Sequence, residues 1–246
     1  MPALEAAIST NVQAWNTNLQ KRFGRDGWNG TGGAVDVELN PRSQGASWVD
    51  GVLYAGGAGA SRDVISHEMT HGLLYSLAPK ADFVGRNSAL GEAWADALTV
   101  LQHPDDWRIR TNMSPDSGPE DVVRDLAHPK ISTISEAMRT TAVHDASGPI
   151  GLVAVRLAGT IGADRTTDIW YEAIPYFNSY LAKYASMEQL KGDQLELDRW
   201  IEAQGGGFGA AYRATMNASK AHGPEVTAAV RDAWKSVGML ANASHG

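Results

Sequence analysis

The 246-residue chain contains no cysteine. That excludes a disulfide framework, a thiolate nucleophile, Cys-ligated zinc and iron–sulfur clusters, so any metal must be held by histidines and carboxylates. Basic residues are scarce too. Lys and Arg number 21 against 28 Asp and Glu, for a net charge of −7, and they never form a block, which sets nucleic acid aside as a partner. The longest apolar run, around Ile150–Val155, is broken by Arg156, well short of the roughly 20 residues a membrane helix needs; no membrane insertion is expected. The opening Met1-Pro2-Ala3-Leu4-Glu5 lacks a basic stretch followed by an apolar one, so no secretory signal is visible in the sequence. No internal repeat is found. What remains is a balance of 43% hydrophobic and 20% charged residues, that of a globular chain able to bury a core.

Periodicity organises the rest. Leu4, Ile8, Val12, Trp15, Leu19 and Phe23 recur at spacings of three and four, predicting an amphipathic helix closed by Gly24. Alternation over Ala34–Leu39 predicts a half-buried strand. Ala46–Val49 and Val52–Tyr54, separated by Asp50-Gly51, predict either a hairpin or one bulged strand. Ser61 is placed to cap a helix over Arg62–Ser76, and Pro79 closes it. Further helices are expected over Leu90–Leu101, Gly148–Leu157 and Thr166–Tyr180. Asp105–Pro129 reads as a long irregular loop, and Lys183–Phe208 as a charged surface helix plus a flexible Gly205-Gly206-Gly207 loop.

The chemistry concentrates in His67-Glu68-Met69-Thr70-His71, inside the helix capped by Ser61. Residues four apart on a helix share a face, so both histidines can offer a ring nitrogen to one metal ion, with Glu68 beside them and aimed at a metal-bound water. The next helix carries Gly91-Glu92-Ala93-Trp94-Ala95-Asp96. Glu92 offers a third ligand, and two imidazoles plus a carboxylate leave zinc positively charged with an open position. Asp96, four residues on, is placed to accept the remaining ring N–H of a ligating histidine and fix its tautomer.

With these motifs in place, the chain resembles the thermolysin-like neutral zinc metalloendopeptidases, whose third ligand is a glutamate. The resemblance runs from the first helix and Ala46-Ser47-Trp48 through both motif helices to Val226–Val237. It implies His67, His71 and Glu92 as ligands of one zinc ion, Glu68 as base and Asp96 as support for His67. It also implies that His144, in Val143-His144-Asp145-Ala146-Ser147-Gly148, donates to the oxyanion of the tetrahedral intermediate. Arg124 matches an arginine that binds a substrate carbonyl, and Ala46 a strand residue whose backbone pairs with an extended substrate. Val64 and Val123 match a pocket for the side chain after the scissile bond, although both also read as ordinary core valines.

The departures fall around the ligands rather than among them. Gly91 replaces an asparagine, and Gly45 another that binds substrate backbone. Phe83 falls near the place of a tyrosine that shares the oxyanion, leaving one donor missing there. Arg139 stands where an aspartate orients the histidine, with Glu136 or Asp145 as substitutes. Asp63 and Asp106 remain from a paired calcium site, but His103, Arg108 and Thr111 replace carboxylates, so no double calcium site is expected.

The resemblance therefore implies an α+β, two-lobed fold. Residues 1–78 would form a lobe with a small mixed sheet, ending in the zinc helix, and 79–246 a mainly α-helical lobe, with the metal at the base of the intervening cleft. The implied function is zinc-dependent hydrolysis of polypeptides, preferring a bulky apolar residue after the scissile bond, by a secreted or exported enzyme. A second reading is a peptide-binding or interaction module that keeps its zinc with weak or no catalysis. Oligomeric state is not legible.

Overall fold

In the computed structural model of the protein, residues 2–40, 45–81, 83, 87–111, 118–181 and 206–239 are described. The chain divides into two units, Met1–Leu77 with Asp105–Asp125, and Ala78–Pro104 with Leu126–Gly246.

The first unit begins with α1 (Pro2–Phe23), which buries Ile8, Val12, Trp15 and Leu19, the middle of the predicted stripe. The chain then forms β1 (Asp36–Leu39), β2 (Ala46–Val49) and β3 (Val52–Ala55). They make a mixed sheet of order β1-β3-β2, with β1 parallel and β2 antiparallel to β3. Of the two expectations for residues 46–54 the hairpin is the one formed. Asp50 and Gly51 both take positive φ, 49° and 88°, as a two-residue turn that follows strand twist requires. The half-buried reading of β1 needs correction. Its residues are exposed except for half-buried Leu39.

Helix α2 (Arg62–Leu77) is capped as expected, with the Val64 N–H donating to Ser61 Oγ at 3.2 Å. It buries Ile65, Met69, Leu73 and Leu74, but also Asp63, Ser66, His67, Glu68 and Thr70, so its polar groups are interior. The expected loop over Asp105–Pro129 is in part a small antiparallel pair, β4 (Arg108–Arg110) with β5 (Val122–Asp125). Strands of three and four residues rich in arginine carry too little alternation to be read locally.

The second unit is helical among its described residues: α3 (Ser88–Val100), α4 (Ile134–Ala137), α5 (Val143–Ala146), α6 (Gly148–Ile161), α7 (Ala163–Ala173), α8 (Gly206–Ser219) and α9 (Pro224–Lys235). Its centre is aromatic. Trp94 stacks on Trp170 at 5.3 Å and meets Phe177 edge-on at 4.9 Å, and Trp94 Nε1–H donates to the Trp170 carbonyl at 3.0 Å. The buried Trp234 indole N–H is satisfied by Thr215 Oγ1 at 2.9 Å, since an indole N–H left unpaired in a core is costly. Gly206 and Gly207, expected in a flexible loop, open α8 instead; most of the 183–208 segment lies outside the described residues. No helix among the described residues is long and apolar enough to cross a membrane.

Candidate metal and catalytic centre

Helix α2 presents His67 and His71 with their Nε2 atoms 3.1 Å apart and their rings edge to face. Two ring nitrogens that close would repel through their lone pairs unless one proton or one cation lies between them, so the pair is built for sharing. His67 is 4% exposed. Arg124, on β5, brings Nη2 to 3.4 Å from His67 Nδ1, a long contact at the far edge of the ring.

Glu68 is buried beside them, and its Oε2 accepts the Trp48 backbone N–H at 2.9 Å. Sequence reading identified Glu68 but not this partner, which lies 20 residues away on β2; no local pattern announces it. On the same strand Ala46 is half-buried. Val64 is half-buried on α2, whereas Val123 is 48% exposed, so its reading as a core valine does not hold.

In the helical unit, Glu92 and Asp96 lie one turn apart on α3, Glu92 half-buried and Asp96 buried. His144, on α5, places Nε2 3.1 Å from Glu92 Oε2, with its side chain 59% exposed. The two carboxylates expected to orient His144 are engaged elsewhere. Asp145 pairs with Lys130 at 2.6 Å, and Glu136 accepts from Thr133 Oγ1 at 2.7 Å in a capping pair at the start of α4. Phe83 is buried against Phe177, ring centroids 5.9 Å apart, and a Cβ on Gly91 would touch it at 3.5 Å. It is packed as an aromatic core residue.

One donor atom each from His67, His71 and Glu92 lies within 4.8 Å of the others, a group able to hold a metal ion. The donor chemistry fits zinc: two imidazole nitrogens and one carboxylate oxygen, with no thiolate in the chain.

Two further acids, Asp63 and Asp106, meet β4. Asp63, fully buried, accepts the Arg110 backbone N–H at 3.1 Å. Asp106 pairs with Arg108 and, at 3.0 Å, with Arg110 Nε. Burial pushes the Asp106 carboxyl up, but the hydrogen bonds and charges of Arg108 and Arg110 outweigh it, so it titrates below its ordinary 3.8.

Comparison with known proteins shows that this α+β fold is similar to one found among metalloproteinases. The structure is similar to that of the precursor of protealysin, a metalloproteinase from Serratia proteamaculans, with a TM-score of 0.61 and 16% identity, covering 97% of this chain and 79% of that one. The sequence is 23% identical over 241 residues to bacillolysin of Bacillus amyloliquefaciens, covering 89% of this chain. The match spans 41% of bacillolysin's length. No family model matches the chain.

Proposed function

We propose that the chain is a zinc-dependent endopeptidase. The observation that carries the reading is the His67, His71 and Glu92 donor group, with a buried carboxylate, Glu68, on the same helix and already oriented. Likeness to bacillolysin and to protealysin, itself a metalloproteinase, supports it. His67, His71 and Glu92 would hold one zinc ion, which when bound supplies Lewis acidity to polarise a carbonyl and acidify water.

The other steps belong to the chain's own side chains. Glu68 takes a proton from the attacking water and passes it to the departing amine. His144 donates through Nε2 to the carbonyl oxygen as negative charge gathers there, an interaction stronger in the transition state than in the bound substrate. Asp96 would accept the remaining ring N–H of a ligating histidine. Arg124 offers two parallel N–H donors to a substrate carbonyl, and Ala46 pairs through its backbone with an extended substrate. Val64 and the exposed Val123 supply apolar surface for a bulky residue after the scissile bond. Phe83, buried without a hydroxyl, takes no part in oxyanion binding in this reading. Export, and the absence of a double calcium site, are parts of the same proposal.

The test is hydrolysis of an unstructured protein such as casein, with zinc content measured in parallel. Cleavage with one bound zinc, abolished by a chelator and restored by zinc, is expected. Bound zinc with no chelator-sensitive cleavage would replace this reading with that of a zinc-retaining peptide-binding module.

A further inference from the structure

The hairpin fixes which backbone groups of β2 face outward. Its two-residue turn makes Val49 and Val52 the closing pair, so Val49 and Ser47 direct their main-chain groups toward β3. The alternation continues at Gly45, whose carbonyl accepts the Gly56 N–H at 3.1 Å. Ala46 and Trp48 therefore direct theirs to the other side of β2, the outer edge of the sheet. The Trp48 N–H meets Glu68 Oε2 there, so the carboxylate lies in line with the strand edge.

A second contact lies one turn along the helix. Glu68 and Gly72 are four residues apart on α2 and share a face. A Cβ on Gly72 would stand 2.7 Å from Cε2 and Cζ2 of the Trp48 indole, inside contact distance, so any side chain there must push the ring away. On that ring Trp28 packs edge-on, with centroids 5.0 Å apart, and Trp48 is 8% exposed. The indole is thus seated between a bare helix backbone and a second indole, and its position sets that of the amide holding Glu68.

We propose that Trp48 and Gly72 are positioning residues for Glu68, the Trp48 amide orienting the carboxylate and Gly72 admitting the indole that fixes the amide. This rests on the reading of Glu68 as general base. Glu68 then carries its charge toward one defined direction before substrate arrives, and a displacement of Trp48 releases it. An ionised acceptor makes this a charge-assisted hydrogen bond, of the stronger kind.

The experiment uses the full chain as wild type, Gly72→Ala, Gly72→Ala with Trp48→Phe, and Glu68→Ala. Zinc content, kcat and KM are measured on a peptide substrate, and exchange of the Trp48 amide is followed in tryptophan-labelled protein. Gly72→Ala is expected to lower kcat by about 10- to 100-fold, the scale of a misplacement near 1 Å, with zinc content kept and KM moving less than about threefold. Shrinking the ring in the double variant recovers most of the loss. In Glu68→Ala the Trp48 amide exchanges at least about tenfold faster, as expected for an amide that has lost its acceptor. Wild-type kcat in Gly72→Ala, no recovery in the double variant, or unchanged exchange in Glu68→Ala would each overturn the proposal. Should Gly72→Ala fold poorly, the exchange result in Glu68→Ala decides. Wild-type protein without chelator-sensitive cleavage would remove the protease reading itself, and with it any catalytic meaning of the contact, even if the exchange result showed the amide held.

Discussion

Glu68 and His144 are proposed to serve one reaction, yet their surroundings differ sharply. Glu68 is 8% exposed, sits inside a 16-residue helix and accepts a backbone amide from a neighbouring strand. His144 is 59% exposed on a helix of four residues, and the acids nearest in sequence pair with Lys130 and Thr133. A group held by packing and a fixed donor reaches the transition state without reorganising, whereas an exposed ring must be ordered at that moment. The fold therefore invests its rigidity in the base and leaves the oxyanion donor exposed, with Nε2 against Glu92 Oε2.

Replacing each residue tests that contrast. Glu68→Gln keeps the shape and removes the base; turnover should fall by about 10² to 10⁴-fold, the range for general acid–base catalysis, with zinc content unchanged because Glu68 is not in the donor group. His144→Ala should cost less, about 10- to 100-fold, at or below the low end for losing one oxyanion donor, and the loss should appear in kcat. Equal losses in the two variants would break the comparison, since an exposed donor would then count as much as a buried base. A fall in zinc affinity in His144→Ala would sharpen it differently, showing that the ring's contact with Glu92 Oε2 at 3.1 Å orients the ligand carboxylate.

The same contrast separates what could be read in the sequence from what could not. The metal-binding half of the candidate site is written in local spacing: His67 and His71 four apart on α2, Glu92 and Asp96 four apart on α3. The residues hardest to read meet through pairing across the chain. Trp48 reaches Glu68 only because β2 pairs with β3 in one register. Gly72 matters only because an indole crosses it, and no spacing rule marks that glycine. The β4–β5 pair was invisible for a related reason, since three residues, Arg-Ile-Arg, become a strand only when Val122–Asp125 returns beside them. Exposure of Val123 and of β1 is likewise set by what covers them, which periodicity does not contain.

The smallest effect expected concerns the acids beside β4, and it extends the contrast from catalysis to stability. Asp63 is wholly buried and takes a backbone amide from Arg110, whereas Asp106 keeps 32% of its side chain exposed and takes two guanidinium groups. Asp106 titrates below its ordinary value in the folded chain, so the folded state favours its ionised form. Its contribution is then complete above the ordinary value of 3.8 and is lost as pH falls through the lower folded value. Exposure and screening keep the contribution small, so Asp106→Asn should cost no more than about 1 kcal/mol at pH 7, less at high salt. Urea unfolding of wild type and variant from pH 7 down to pH 2 measures it, and the two curves should converge only in the acid range. Convergence near neutral pH, or a cost of several kcal/mol, would show that the arginines hold Asp106 as a buried site does, and the division between tightly and loosely held acids would fail at β4.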